Sequence, residues 1–293
     1  MELLDPKLDV TFKMLFGAPE NRDILTAFLR AVLDPPEPIV GVDVLNPEIP
    51  RTGRDEKGYI LDLRVHLSGG MRIHVELQKL WHDAFFERAL TYSARELATQ
   101  LRPGASYEDL EPVVGILVLD FDPFGRPARF HHIFEILEER ERFRLTAHLA
   151  FHVLALLNVR RLGAADAVYP VVNWGKFFLD GSDPVALERL AMQDPDIQKA
   201  KEALERLSRE TYARNQAEHR RLEQLFQENQ LKRREAKGKA EGKAESVLHI
   251  LEARGIAVTP TDRDRILACT DLELLDHWLE KALEALVAAE LFG

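Results

Sequence analysis

Tyr59–Lys79 reads YILDLRVHLSGGMRIHVELQK and contains two runs of alternating apolar and polar residues, separated by Ser68-Gly69-Gly70. The apolar positions are Leu61, Leu63, Val65 and Leu67 in the first run, and Met71, Ile73, Val75 and Leu77 in the second. Alternation with a period of two, interrupted by a Gly-Gly turn, is typical of a β-hairpin with one buried face. The stretch therefore predicts two antiparallel strands.

The same pattern predicts how the two strands pair, because a slip of one residue would turn every apolar side chain to the wrong face. A two-residue loop at Gly69-Gly70 would pair apolar residues with polar ones. A three-residue loop that includes Ser68 pairs apolar with apolar throughout: Leu67 with Met71, Val65 with Ile73, Leu63 with Val75, and Leu61 with Leu77. In this predicted register Asp62 lies directly opposite Glu76.

The predicted register places two carboxylates side by side. Directly opposite residues on paired strands have Cβ atoms about 4.5–5.5 Å apart, so the charges of Asp62 and Glu76 would repel each other. A divalent cation bound between them would remove the repulsion. Alternatively, this polar face of the hairpin lies in solvent, where Arg64, Arg72 and the histidines dilute the negative charge.

Two carboxylates with this placement suit the binding of Mg²⁺, which proteins usually hold with one or two carboxylates plus water and substrate oxygens. Mn²⁺ accepts the same oxygen ligands. Such an ion polarises a phosphoryl oxygen and generates hydroxide from bound water, as phosphodiester hydrolysis requires. Gln78 follows Glu76 on the same strand face, where its side chain is placed to orient the attacking water or the phosphate. We predict Asp62 and Glu76 as metal ligands, and these two with Gln78 as catalytic residues.

The composition limits the class of protein. Of the 293 residues, 46% are hydrophobic and 30% are charged, as in an ordinary soluble protein with enough length for a large core. One cysteine, no apolar run long enough for a bilayer and no signal-peptide pattern at the start lead us to expect a cytoplasmic protein without membrane contacts. The net charge of −10 argues against broad non-specific nucleic-acid binding, so a DNA contact must be local or bridged by metal.

The order of the predicted elements indicates an α/β fold. Helices are predicted before and after the hairpin, and Val113–Phe121 is apolar almost throughout, like a strand covered on both faces. Phe130–Leu137 and Leu149–Leu156 favour two further strands. Together these elements predict a mixed sheet flanked by helices.

The second part of the chain is predicted to be helical. We place the α/β domain at residues 1–180, a long helical segment at 181–245 and a small helical domain at 246–293. Leucines in the middle segment fit a coiled coil, although the heptad pattern is not sustained. Such a segment makes the C-terminal part a candidate for homo-oligomer formation.

Short motifs occur in a fixed order along most of the chain. They are Asp9-Val10-Thr11-Phe12-Lys13-Met14-Leu15-Phe16, Leu61-Asp62-Leu63-Arg64-Val65, Val75-Glu76-Leu77-Gln78, Arg88 with Tyr92, Tyr107-Glu108-Asp109-Leu110, and a charged Ala/Glu/Lys tail. In this order they resemble the recombination-promoting nucleases of the PD-(D/E)XK superfamily, which are also described as nuclease-family transposases. The resemblance implies a restriction-endonuclease-like core with an all-α C-terminal extension. It also implies a Mg²⁺-dependent DNA endonuclease, with DNA as partner, that is associated with recombination or mobile elements.

The resemblance assigns Asp62 and Glu76 as metal ligands and Gln78 as a catalytic auxiliary. The general superfamily pattern has lysine at the position of Gln78, and Glu-x-Gln resembles this family's own version. Because Gln78 replaces the lysine of the general pattern, another residue must take the role of that lysine. Lys57 and Lys79 are the candidates.

The resemblance also implies roles for residues on the helices on either side of the hairpin. Asp9 corresponds to the acidic residue of the first helix in the superfamily. Arg88 and Tyr92 correspond to phosphate contacts; alternatively, they pack against the sheet or extend into solvent.

A second hypothesis comes from a different class of protein. The acidic charge balance and Gln78 also suit a catalytically silent protein that keeps the nuclease fold and acts in interactions through its helical C-terminal part. Mg²⁺-dependent cleavage that disappears in Asp62→Ala would reject this hypothesis.

Overall fold

The computed structural model describes residues 2–45, 48–49, 59–60, 62–81, 83–102, 104–125, 129–163 and 169–293. The strands are β1 (Val42–Leu45), β2 (Glu48–Ile49), β3 (Tyr59–Ile60), β4 (Leu63–Leu67), β5 (Met71–Gln78), β6 (Val113–Leu119), β7 (His131–Glu135) and β8 (Leu149–Ala155). The helices are α1 (Asp9–Phe16), α2 (Arg22–Leu33), α3 (Phe85–Ala98), α4 (Pro170–Asp180), α5 (Pro184–Ala191), α6 (Pro195–Arg209), α7 (Thr211–Ala253), α8 (Pro260–Leu267) and α9 (Leu272–Ala282). None of the helices within the described ranges is long and apolar enough to cross a membrane.

Six strands form one mixed sheet in the order β1-β4-β5-β6-β8-β7, and β2 pairs separately with β3. The central strands β5, β6 and β8 are parallel, whereas β1–β4, β4–β5 and β7–β8 are antiparallel pairs. Every residue of β6 is buried, which confirms the strand predicted at Val113–Phe121 to be covered on both faces. The two further predicted strands are confirmed as β7 and β8.

Helices cover both faces of this sheet. On one face Phe12, Phe28 and Trp174, from α1, α2 and α4, join a large aromatic cluster packed on the apolar side of β4 and β5. On the other face α3 buries Phe85 and Ala89 against β6 and β8. A mixed sheet between helical layers, followed by a helical C-terminal region, confirms the predicted fold class.

The limit of the first compact unit differs from the predicted boundary at residue 180. The chain divides into a unit of residues 1–221 and a unit of residues 222–293. The reason is that α5 and α6 complete the core of the sheet-containing unit, in which Leu187, Ile197 and Leu204 are almost fully buried. The outer faces of α5 and α6 are charged, as in an independent helical segment. Their apolar faces, however, pack into the α/β core.

The second unit has its own small core. Leu251 of α7, Ile266 of α8, and Leu275 and Trp278 of α9 are buried together. Asp271 caps α9 by accepting hydrogen bonds from the backbone amides of the first turn. The predicted helical domain at 246–293 lies within this unit.

Candidate active site

The candidate site lies where β4 begins and β5 ends. β4 and β5 pair with Leu67 opposite Met71, Val65 opposite Ile73, and Leu63 opposite Val75, which confirms the predicted three-residue loop. Leu61, the remaining member of the predicted set, lies outside the described residues. Because Asp62 directly precedes β4, this register brings it beside Glu76 near the carboxyl end of β5.

Asp62 is held by two contacts. Its Oδ2 accepts a hydrogen bond from the Leu77 amide at 2.8 Å, and its Oδ1 is 3.0 Å from the Lys13 ammonium nitrogen. Burial raises the pKa of the Asp62 carboxyl, while Lys13 and the Leu77 amide offset part of the increase. The carboxylate is therefore fixed in position but lacks enough positive charge for its burial.

Glu76 is the less compensated of the two carboxylates. Its Oε2 atom is buried and has no hydrogen-bond partner among the described residues. Burial raises the pKa of Glu76 to about 7; the Arg88 charge lowers it, the Asp62 charge raises it further and Lys13 lowers it. The Asp62 charge thus acts on Glu76 across the hairpin, and the Lys13 charge lowers the pKa of both carboxyls.

The side chain of Gln78 makes a local contact. Its Nε2 donates a hydrogen bond to the carbonyl oxygen of Leu80 at 2.9 Å. Of the two candidates for the lysine role, Lys79 lies 3.6 Å from Asp5, and Lys57 lies outside the described residues.

Asp9 lies at the start of α1, and its charge acts on the candidate site. Its charge raises the pKa of Asp62, so it is close to the predicted metal ligands. Its Oδ1 accepts a hydrogen bond from Arg220 Nε at 2.8 Å. Arg220 belongs to the part of α7 within the first unit, so the beginning of α7 is tied to the edge of the site.

The two predicted phosphate contacts on α3 differ in environment. The Arg88 charge acts on Glu76, and its guanidinium lies over the Phe85 ring, 5.4 Å from the ring centre. Tyr92, by contrast, is only 9% exposed and belongs to the buried face of α3. Of the two, Arg88 is the one placed beside a candidate catalytic carboxylate.

A buried ionic network fixes α3 above the hairpin. Glu96 of α3 is 1% exposed and accepts hydrogen bonds from Arg64 at 2.7 and 3.0 Å and from Arg72 at 2.8 Å. Arg72 also donates to Glu111 at 2.7 Å, just before β6. The alternative interpretation of the hairpin placed Arg64 and Arg72 in solvent. Both are instead ion-paired with Glu96 of α3.

Three side chains of this region were missed by the sequence-based prediction: Lys13, Arg220 and Glu96. Lys13 lies four residues after Asp9, a spacing that puts both on one face of a helix, so a signal for it existed. Nothing in the local sequence of Arg220 connects it with Asp9, since the two are 211 residues apart.

The donor set fits a hard divalent cation. Two carboxylates with raised pKa values, one carrying a buried unpartnered oxygen, are the groups that such an ion would stabilise. Within the described part of the chain, no cluster of three or more His, Cys, Asp or Glu residues could hold a metal. Asp62 and Glu76 are the two carboxylates of this site that could hold such an ion, with water and substrate oxygens completing the set.

A known protein family matches most of this chain. The family model described as PD-(D/E)XK nuclease family transposase matches residues 6–234. The chain belongs to this family. The match begins before α1 and ends within α7, so it includes the candidate site together with α5 and α6. The searches of curated proteins and of solved structures gave no match.

Membership in the nuclease-family transposases makes this protein a nuclease relative connected with mobile elements. The resemblance predicted from the ordered motifs is thereby confirmed.

Proposed function

We propose that this protein is a metal-dependent DNA endonuclease that hydrolyses phosphodiester bonds with Asp62 and Glu76 as ligands of Mg²⁺ or Mn²⁺. The observation that carries the proposal is the half-buried carboxylate pair, whose charges are only partly balanced by protein groups and in which Glu76 Oε2 is buried without a hydrogen-bond partner among the described residues. The family relationship supports the same conclusion. A role in recombination or in the movement of genetic elements follows from the family and belongs to the proposal.

The chain's residues have distinct tasks in this reaction. A bound Mg²⁺ or Mn²⁺ would polarise a phosphoryl oxygen and lower the pKa of a water bound to it. Asp62 is oriented for its task by the Leu77 amide, and Glu76 by its position in β5. Arg88 would add positive charge beside Glu76, where a phosphate group has to approach.

The local charges suit a short contact with DNA. Near the same edge of the sheet lie Lys7, which pairs with Asp120 at 2.9 Å, and Lys79, which pairs with Asp5 at 3.6 Å. These cations occur among carboxylates in a chain of net charge −10. We therefore expect DNA to be bound through a few phosphates and a bridging metal, since few cations are available for phosphate neutralisation.

The test is cleavage of supercoiled plasmid by the full-length protein. Wild-type protein with Mg²⁺ or Mn²⁺ should nick the plasmid, and EDTA should prevent nicking. Asp62→Asn keeps the shape of the side chain and should lower the rate about 100-fold or more, as expected for an electrostatic group at a reaction centre.

A matched control is available on the same sheet. Asp43 is exposed on the edge strand β1, so Asp43→Asn makes the same chemical change away from the site and should leave cleavage intact. Cleavage that survives in Asp62→Asn would contradict the site assignment. A wild-type protein that cuts no plasmid with either metal would instead favour the catalytically silent interaction protein.

A further inference from the structure

The position that normally holds lysine in this superfamily does not supply a cation here. Gln78 is neutral, and its amide nitrogen is engaged with the Leu80 carbonyl oxygen. Lys79, the next residue, is paired at 3.6 Å with Asp5 rather than with Asp62 or Glu76. The site therefore needs its cationic group from another element.

Lys13 of α1 brings an ammonium group to the carboxylate pair. Its Nζ lies 3.0 Å from Asp62 Oδ1, and its charge lowers the pKa of both Asp62 and Glu76. The side chain is 38% exposed, so the ammonium group remains accessible to a substrate. Phe12 and Phe16, which flank it on α1, are fully buried and anchor the helix to the core.

We propose that Lys13 is the cationic catalytic residue of this nuclease, and that its ammonium group contacts the scissile phosphate and the attacking water in place of a lysine at position 78. This inference rests on the proposed nuclease function. In hydrolysis the water oxygen forms a bond to phosphorus, the bond from phosphorus to the leaving nucleotide oxygen breaks, and one water proton is transferred to the leaving oxygen through solvent. Lys13 keeps its own proton and stabilises the negative charge that develops on the phosphoryl oxygens.

The contact with Asp62 gives this assignment two consequences of opposite sign. Lys13 competes with a metal ion for the Asp62 carboxylate, so its removal should strengthen metal binding. Lys13 also stabilises the transition state, so its removal should slow cleavage. If Lys13 only held Asp62 in place, its removal would instead weaken metal binding and slow cleavage together.

The experiment compares Lys13→Met and Lys13→Arg with wild type in the full-length protein. Calorimetry measures Mn²⁺ binding without DNA, and single-turnover assays measure plasmid nicking at saturating Mn²⁺. In Lys13→Met the Mn²⁺ dissociation constant should fall roughly 30-fold, the effect of one unit charge about 4 Å from a divalent ion in a water-like dielectric. The nicking rate should fall about 100-fold. Lys13→Arg keeps the charge and should recover part of the rate.

Lys199→Met is the control, because Lys199 is an exposed lysine of the first unit that pairs with Asp23 at 3.5 Å, and it is not among the charges that shift the pKa of Asp62 or Glu76. It should change metal affinity and nicking by less than about twofold. Thermal melting of each variant checks that Lys13→Met is folded, as expected for a partly exposed side chain.

Two results would overturn the assignment of Lys13. One is an unchanged nicking rate in Lys13→Met; the other is a parallel loss of Mn²⁺ affinity and rate, which would reduce Lys13 to a support for Asp62. Failure of the wild type to cut is a separate result: it rejects the nuclease proposal itself, and the Lys13 assignment with it.

Discussion

At the scale of single residues, the site depends on carboxylates whose burial is not fully compensated. Glu76 is the clearest case, because its pKa of about 7 lies above the ordinary value of 4.5. A carboxyl whose pKa is raised by burial destabilises the fold when it is ionised. Such groups are concentrated at functional sites, where the shifted pKa serves binding or catalysis. Metal binding is the purpose that the local chemistry supports.

This burial predicts how stability depends on pH in the metal-free protein. Between about pH 4.5 and 7 the folded state retains a proton on Glu76 that the unfolded chain has released, so the free energy of unfolding should fall as pH rises. Glu76→Gln removes this titration. Its stability relative to wild type should therefore increase by about 1–3 kcal/mol from pH 4 to pH 8.

Urea unfolding in EDTA at pH 4, 5.5 and 8 measures this difference. Glu87→Gln, on the exposed side of α3, is the control and should follow wild type at every pH. Parallel curves for Glu76→Gln and wild type would show that Glu76 has an ordinary pKa and that its burial has no electrostatic cost.

The sequence was sufficient to place Asp62 beside Glu76 because a hairpin is a local structure. Alternation fixes the register, and the register fixes which polar residues are neighbours. Lys13 and Arg220 could not be found in this way. They reach the site from helices whose packing depends on the whole core, and the pattern of a single helix does not specify its partners.

At the scale of elements, α3 is attached to the hairpin by Glu96. Burial raises the pKa of Glu96, but its contacts with His74, Arg72 and Arg64 outweigh burial and hold it at about 2. Because this pKa lies below the ordinary value, the stabilisation is present above about pH 4.5 and is lost as pH falls toward 2.

Glu96→Ala should destabilise the protein by about 3–5 kcal/mol, because it leaves Arg64 buried without its carboxylate partner. Amide hydrogen exchange in α3 should become faster, since the helix loses its anchor on β4 and β5. Glu87→Ala, an equivalent truncation on the exposed face of α3, should change stability by less than about 0.5 kcal/mol. Denaturant unfolding and exchange measured by mass spectrometry would test both. A loss of less than 1 kcal/mol in Glu96→Ala would mean that apolar packing alone positions α3.

The helices α5 and α6 show the limit of sequence patterns at this scale. Their start signals are clear, since Asp183 and Asp194 cap them through side-chain hydrogen bonds to backbone amides. Their amphipathic pattern predicts that one face is buried, yet it does not say against which surface. We predicted them as part of a separate helical segment, whereas their apolar faces pack into the core of the first unit.

At the scale of the whole molecule, the net charge of −10 limits how DNA can be bound. If about two to four phosphates are contacted, affinity should fall only about 10–150-fold between 50 and 200 mM salt, far less than for a protein with many phosphate contacts. Fluorescence anisotropy with a labelled duplex and wild-type protein in EDTA, where the bridging metal is absent and only the protein's own cations contact phosphates, measures the slope. A slope steeper than about −6 in log affinity against log salt would contradict a local contact.

Truncation tests which part of the molecule is an independent folding unit. A fragment of residues 1–234 contains the whole first unit and ends where the family match ends, so it should melt cooperatively and retain nicking activity. A fragment of residues 1–180 lacks α5 and α6, and with them the almost fully buried Leu187, Ile197 and Leu204.

The loss of those side chains exposes a large part of the core, and each buried aliphatic residue contributes about 1.5–3 kcal/mol, against a total stability of about 5–15 kcal/mol. Residues 1–180 should therefore show no cooperative transition by circular dichroism. A cooperative melt of this shorter fragment would place the domain limit near residue 180 after all. If residues 1–234 fold but do not cut DNA that the full chain cuts, the reaction requires the second unit, whose role would then extend beyond a stable helical appendage.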